Sequence, residues 1–510
     1  MKSIKKISLV FFFAINCGLL HAQKQANNWI FGTKAGLTWN TLQIFEAKRL
    51  DDLTAVTLQR IPTAIHTSKF GNTNYMQAYN SSFALSDKDG NLQFYSDGAY
   101  AWNKSFIMFY NSGYGMSTTQ GGVLMPIKPS SNYLSEFIAI IPGSGSNSGI
   151  DYMKFGYNYF SPGGAVSVAR QKFANGIQNI GIGEVATIAL KPNKKDMWVI
   201  APRVYQNKPQ LYAWLLNESG VNQNFFAPVV SEMVTLPTAF PSGYLQTGFI
   251  KLSPDSRHFI WGTKYGYTVL GKFDIETGEA SDVKYINVNG YGVEFSRSGR
   301  YVYISALDGQ VNVYETDELL SASDPTTVAP VYTYNGGTVG TALQLAPDGR
   351  IYQPINNTRS LIVVDKPEEA ATDPKVCILE DILSDGGKVY LGLCNFSGSW
   401  FSSEIEGVEK CCAGGEEVYS YNYASGLGAD NIAYTEWDFG DNNIVQVNIS
   451  TTSLTGIVTC PHVYDKPGTY SIKVQSYTSL GQLLGESMEH TVTVNPCVIR
   501  VNPHIRVKLK

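Results

Sequence analysis

Catalytic chemistry begins with nucleophiles, acids and bases, and in this chain the candidates are few and dispersed. Six histidines stand among 510 residues. The five beyond the N-terminal segment, His66, His258, His462, His490 and His504, are single residues with no recognisable Ser or Cys nucleophile beside them. The G-x-S-x-G, H-E-x-x-H and phosphate-loop patterns of acyl transfer, zinc hydrolysis and nucleotide binding do not occur. Asp87-x-Asp89-Gly90-Asn91 resembles the start of a calcium loop, but an EF-hand would need Glu where Gly98 stands, so a hairpin turn is expected. Asp438 and Asp441 are spaced either to cap a turn or to hold calcium. Glycoside cleavage needs a pair of carboxylates, and no pair is singled out. The expectation is therefore no catalytic residue, no cofactor and no metal.

Cysteine offers a second chemistry. Apart from Cys17, six remain: Cys377, Cys394, Cys411, Cys412, Cys460 and Cys497. His462 and His490 fall between Cys460 and Cys497, but no C-x-x-C or H-x-x-x-H spacing occurs among these residues, which argues against a metal cluster and for disulfides. Cys377 with Cys394 could close one structural unit, while Cys411-Cys412 has Cys460 and Cys497 as candidate partners. Spacing does not choose among the connectivities.

Aromatic side chains offer a third. Tyr95, Tyr100 and Trp102 flank one hairpin, and Tyr110 and Tyr114 follow in a Gly/Ser-rich stretch. Tyr152, Tyr157, Tyr159 and Phe160 form a second group, and Trp261, Tyr265 and Tyr267 a third. Such rings on loops would stack on sugars or anchor a protein partner; the plainer reading is core between sheets.

These residues must be positioned by strands. Leu252-Ser253-Pro254-Asp255-Ser256-Arg257-His258-Phe259 is echoed by Phe295-Ser296-Arg297-Ser298-Gly299-Arg300-Tyr301-Val302 and by Leu345-Ala346-Pro347-Asp348-Gly349-Arg350-Ile351-Tyr352. Looser copies begin at Leu190 and Ile127. Each reads as a strand end, a polar turn and a new apolar strand. Clear copies lie 43 to 50 residues apart, the length of one four-stranded propeller blade. A single blade cannot bury both faces alone, so successive blades must stack. About seven blades are expected over residues 23–405. A short helical stretch is expected at Asp317–Leu320.

A separate pattern follows a Cys/Gly linker at 406–415. Trp437-Asp438-Phe439-Gly440-Asp441 alternates and then turns, and Lys466-Pro467-Gly468 precedes a strand with Tyr470, Ile472 and Val474 on one face. With His462-Val463-Tyr464, these phrases resemble the signature of a PKD domain, an immunoglobulin-like β-sandwich of bacterial exported proteins, over residues 416–496. Asn442 stands where the family commonly has Gly, and Asn also tolerates left-handed backbone. Residues 497–510 form a short basic tail.

Export is expected from the N-terminus. Met1–Lys6 is basic, Ile7–Leu20 is apolar, and Leu20-His21-Ala22 offers a cleavage point, so residues 1–22 read as a signal peptide. Cys17 follows Ala14-Ile15-Asn16, a poor approach to a lipidated cysteine. The formal charge of -4, the pI near 5.9 and the absence of a basic tract leave no footprint for nucleic acid. No transmembrane segment is expected after signal cleavage.

Larger phrases then resemble a family of exported propeller-plus-PKD proteins common in bacteria that use type IX secretion. They are Asn28-Trp29-Ile30-Phe31-Gly32, Ser86-Asp87-Lys88-Asp89-Gly90-Asn91-Leu92-Gln93-Phe94-Tyr95-Ser96-Asp97-Gly98 with Ala101-Trp102-Asn103, and Tyr291-Gly292-Val293-Glu294-Phe295-Ser296. The resemblance implies an architecture and a compartment rather than an activity. The expected function is non-catalytic binding of an envelope protein or an extracellular glycan in the periplasm, at the cell surface or outside the cell. The alternative is a propeller glycosidase or lyase acting at the central channel.

Overall fold

The computed structural model describes residues 24–67, 75–87, 90–112, 118–128, 135–143, 149–157, 165–173, 184–191, 193, 195–205, 208–217, 228–232, 236, 248–264, 266–401, 405–422, 432–449, 457–481 and 483–496. The described chain is nearly all β, arranged in small antiparallel sheets. The first four-stranded sheet is Phe83–Ser86, Leu92–Ser96, Tyr100–Asn103 and Met108–Asn111. Four more meanders follow in chain order, with first strands Val123–Ile127, Thr187–Leu190, Ile250–Leu252 and Gly290–Phe295.

The sequence echoes fall at one repeated structural position, the turn from first to second strand. Leu252–Phe259 and Phe295–Val302 each join those two strands in their own sheet, and the copies at Leu190 and Ile127 begin where first strands end. The copy at Leu345–Ile351 does the same in the last sheet. The turns close in left-handed backbone, at Ser256 with φ 60° and at Gly299 with φ 78°, where a side chain other than Gly, Asn or Asp is costly. First strands of successive sheets pack beside one another in chain order. Buried apolar clusters lie between neighbouring sheets. Trp198, Ile200 and Leu211 meet Ile250, Phe259 and Trp261 in one of them, and Ile260 and Leu270 meet Val293, Val302 and Ile304 in the next.

The N-terminal strands join the last sheet. Asn28–Thr33, Ala35–Arg49 and Ala55–Ala64 share an eight-stranded sheet with Gln344–Leu345, Ile351–Pro354, Leu361–Val364 and Val376–Leu379. The join is at Lys48↔Ile378 and Arg49↔Cys377. Arg49 is braced there by Asp373 at 2.9 Å.

The segment that follows runs in among the first strands. Thr33 and Lys388 exchange backbone hydrogen bonds of 2.8 Å, Leu391 N donates to Tyr79 O, and Ala342 N donates to Leu391 O. Asn395 N donates to Ser82 O, Ser397 Oγ to Ile188 O, and Trp400 Nε1 to Leu124 O. Gly392 has no alternative in this path, because a Cβ there would stand 0.9 Å from Asn80 O. The short helix expected at Asp317–Leu320 spans Thr316–Ser321.

In the C-terminal region, a three-stranded sheet and a five-stranded sheet share one core. The first is Ile405–Glu406, Glu416–Asn422 and Ile457–Val463; the second pairs Lys410–Cys412, Leu483–Asn495, Gly468–Tyr477, Tyr434–Asp438 and Ile444–Asn448. Trp437, Phe439, Ile472 and Val474 are fully buried in that core opposite Tyr419 and Cys460. Asn442 takes the left-handed backbone anticipated for it, at φ 71°.

The cysteine expectation holds at Cys412, which is disulfide-bonded, and needs correction at four other positions. Cys377, Cys394, Cys411 and Cys460 are free buried thiols. Cys377 sits on a strand edge-paired to Arg49, whereas Cys394 bridges to Ser82 among the first strands, so the proposed Cys377–Cys394 bond does not form. Burial pushes the Cys394 thiol up to about 12 and the Cys377 thiol up to about 11. Cys17, Cys497 and the signal-peptide expectation lie outside the described residues.

Candidate binding face

The space between the first strands is where a central site would lie, and it is filled by the chain's own polar side chains. Lys251 Nζ donates to Gln344 Oε1 at 2.7 Å, to Asn395 Oδ1 at 3.0 Å and to Phe396 O at 3.3 Å, with Glu294 Oε2 at 3.4 Å. Glu294 in turn accepts from the backbone N–H groups of Phe295 and Leu345, each at 3.0 Å. Gln120 Nε2 donates to Ile250 O and Asn395 Oδ1, and Asn395 Nδ2 donates to Gly122 O at 2.7 Å. Burial lowers the Lys251 pKa and raises that of Glu294, while their mutual attraction opposes both shifts. A network satisfied from within is structural, and it leaves Lys251 and Glu294 with partners from their own chain.

The starting ends of the first strands present a different surface. Tyr79 precedes the strand Phe83–Ser86 and is 57 % exposed. Its ring lies 4.6 Å from that of Tyr390. Both residues sit on backbone pinned by the Leu391 N–Tyr79 O bond, and Thr33 Oγ1 reaches the Tyr390 hydroxyl at 3.5 Å. Nearby, Lys34 Nζ stands 4.4 Å over the Tyr75 ring. Farther round the same ends, Glu184 accepts from Thr119 N at 3.1 Å and from Thr119 Oγ1 at 2.7 Å. The Glu184 carboxylate also acts electrostatically on Tyr291. Val339, before the strand Gln344–Leu345, is 36 % exposed. Aromatic faces, hydroxyls and a carboxylate held on rigid backbone suit recognition of a hydroxyl-rich or partly apolar ligand.

The aromatics singled out by sequence are mostly core. Tyr95, Trp102, Tyr157, Trp261 and Tyr267 are buried. Tyr95 stacks on Trp102 at 5.4 Å. Tyr100, Tyr110 and Tyr152 are half-buried against the same core, and Tyr114, Tyr159, Phe160 and Tyr265 lie outside the described residues. Sequence reading missed Tyr79 and Tyr390. Their neighbours carry no distinctive pattern, and Tyr390 reaches Tyr79 only because the 388–394 segment returns to the N-terminal strands.

The remaining candidates serve the fold. Asp87 accepts from Asn91 N at 2.9 Å and from Gln93 Nε2 at 2.9 Å, which makes it a hairpin residue. Asp438 Oδ1 accepts from Gly440 N, and Asp441 Oδ1 accepts from Asn443 N. Asp441 Oδ2 lies 2.9 Å from His462 Nε2, whose ring stacks on Phe439 at 3.9 Å. His490 contacts Val408 O, His258 is partly buried and held toward its neutral form by that burial, and His66 is exposed. Among the described residues no group of three His, Cys, Asp or Glu side chains could hold a metal ion, and no helix is long and apolar enough to cross a membrane.

No family model matches the chain, and no curated protein matches it. Among solved structures, the PKD domain of an M14-like peptidase from a Thermoplasmatales archaeon is similar at 21% identity, covering 19% of this chain and 93% of that one with a TM-score of 0.16. Sqt1 from Chaetomium thermophilum is similar at 11% identity, covering 86% of this chain and 96% of that one with a TM-score of 0.36. The extracellular domain of a one-component system from B. thetaiotaomicron is similar at 8% identity, covering 92% and 95% with a TM-score of 0.19.

Proposed function

We propose that this chain is an exported, non-catalytic recognition protein built from a seven-bladed β-propeller and a PKD-like sandwich. In this reading five meanders and the last sheet supply six blades. Asn28–Thr33, Ala35–Arg49 and Ala55–Ala64 make the seventh, with the Lys388 segment as its innermost strand. An extracellular glycan or an envelope protein binds the face at the starting ends of the first strands. The observation that carries the reading is the backbone-pinned pair of exposed Tyr79 and half-buried Tyr390. The lumen filled by Lys251, Glu294, Gln120 and Asn395 weighs against a central-channel glycosidase or lyase. The sandwich acts as spacer or adhesive module.

The test is an array of extracellular glycans and an envelope-protein pull-down with the chain Gln23–Lys510, with bound glycans recovered and sized. Saturable binding to uncleaved ligand, weakened about tenfold or more by Tyr79→Ala, is the expected result. Shortened glycans would overturn the non-catalytic reading, and binding indifferent to Tyr79→Ala would remove this face.

A further inference from the structure

We propose a second ligand site, on the outer face of the five-stranded sheet in the C-terminal region, that takes a neutral, hydroxyl-rich polysaccharide chain. It goes beyond the starting-end face and is tested separately from it. Strand alternation sends Trp437 and Val474 into the core, so Tyr434, Glu436, Gln475 and Tyr477 face outward. Register then lines up Asn448, Tyr434, Tyr477 and Leu483 across four neighbouring strands. One step along, Gln446, Glu436 and Gln475 form a parallel polar row. Strands about 4.8 Å apart spread the first row over about 14 Å and the second over about 10 Å, lengths suited to an extended ligand.

The two rings are already assembled. Tyr434 and Tyr477 stack with centroids 5.0 Å apart and planes 13° from parallel. Tyr477 donates to Gln475 Oε1 at 2.9 Å, and Gln446 Nε2 donates to Asn448 Oδ1 at 3.1 Å. A ligand therefore meets ordered side chains and forfeits little further rotamer freedom. At the rim, Leu480 is 84 % and Leu483 51 % exposed, which makes an apolar lip. Aromatic faces pack on the C–H faces of sugar rings, while amides and a carboxylate take the hydroxyls. Charge gives a polyanion no advantage, since Glu436, Asp438 and Glu489 face Lys473 and Lys410 on this sheet surface. A stable protein interface needs about 800 Å² per side, and this apolar strip is narrow and bordered by exposed polar strands.

The test is affinity electrophoresis of the full chain Gln23–Lys510 through gels holding hydroxyethyl cellulose, soluble β-1,3-glucan or xylan. Retardation by at least one polymer is expected. It should weaken about tenfold in Tyr434→Ala and Tyr477→Ala, persist in Tyr477→Phe and persist in Tyr79→Ala. Circular dichroism and the retained behaviour of Tyr477→Phe separate lost binding from lost folding. No retardation by any of the three polymers, or retardation unchanged by both alanine variants, would overturn the site. Retardation lost only in Tyr79→Ala would assign the polysaccharide to the propeller face and equally overturn it.

Discussion

Asp97 is the residue whose ionisation the fold resists most plainly. It sits in the tight turn between Leu92–Ser96 and Tyr100–Asn103, where its Oδ1 accepts from Ala99 N at 3.0 Å and Tyr100 N at 2.8 Å. Its Oδ2 is buried without a hydrogen-bond partner. Burial raises the carboxyl to about 6, against 3.8 when free. The folded state thus holds its proton where the unfolded chain has already released it, and stability falls as pH rises from about 4 to 6. Asp97→Asn keeps the Oδ1 acceptor and removes the charge. It should gain on the order of 3 kcal/mol above pH 6 and little below pH 4. Urea midpoints for both proteins across pH 4–7 check this; parallel curves would show that Asp97 is not the source. Little of this was readable beforehand, because Ser96-Asp97-Gly98 looks like any polar turn until tertiary packing removes its water. The same holds for aromatics. Sequence grouping flagged Tyr95 and Trp102 with core as the plainer reading, and alternation on a strand pressed between sheets buries them, while isolated Tyr79 was left outside.

At the scale of elements, the repeated first-to-second-strand turn was legible because its Pro, Asp, Ser and Gly chemistry is local. The 388–401 segment was not, since its partners lie up to about 350 residues away in sequence and it forms almost no regular strand. Only the side chains that hold it tell of its place. Lys251 touches Asn395 and Phe396 O while paired to Glu294, both nearly unexposed. Lys251→Met should cost on the order of 3–5 kcal/mol, because it leaves Glu294 buried without its counter-charge. Adding Glu294→Gln should recover part of that loss. Limited proteolysis should find cleavage within 388–401 faster in the single variant than in the wild type. A loss below about 1 kcal/mol with unchanged cleavage would mean that this network does not hold the segment.

At the scale of the whole molecule, no buried apolar cluster crosses from Phe401 to Ile405: three lie between the stacked sheets up to Phe401, and the fourth begins at Ile405. Electrostatic contact links Arg297 and Tyr421 across them, but the apolar cores stay apart. Domains with separate cores unfold as separate units unless a large interface couples them. Calorimetry of the chain Gln23–Lys510 should therefore show two transitions. Trp437 is fully buried in the smaller core and stacks on Phe439 at 6.0 Å. Trp437→Ala should cost that unit on the order of 3–5 kcal/mol and lower one transition while leaving the other in place. If Trp437→Ala instead shifts a single common transition, the two regions fold as one, and the C-terminal unit is then a rigid extension of the stacked sheets rather than a tethered module.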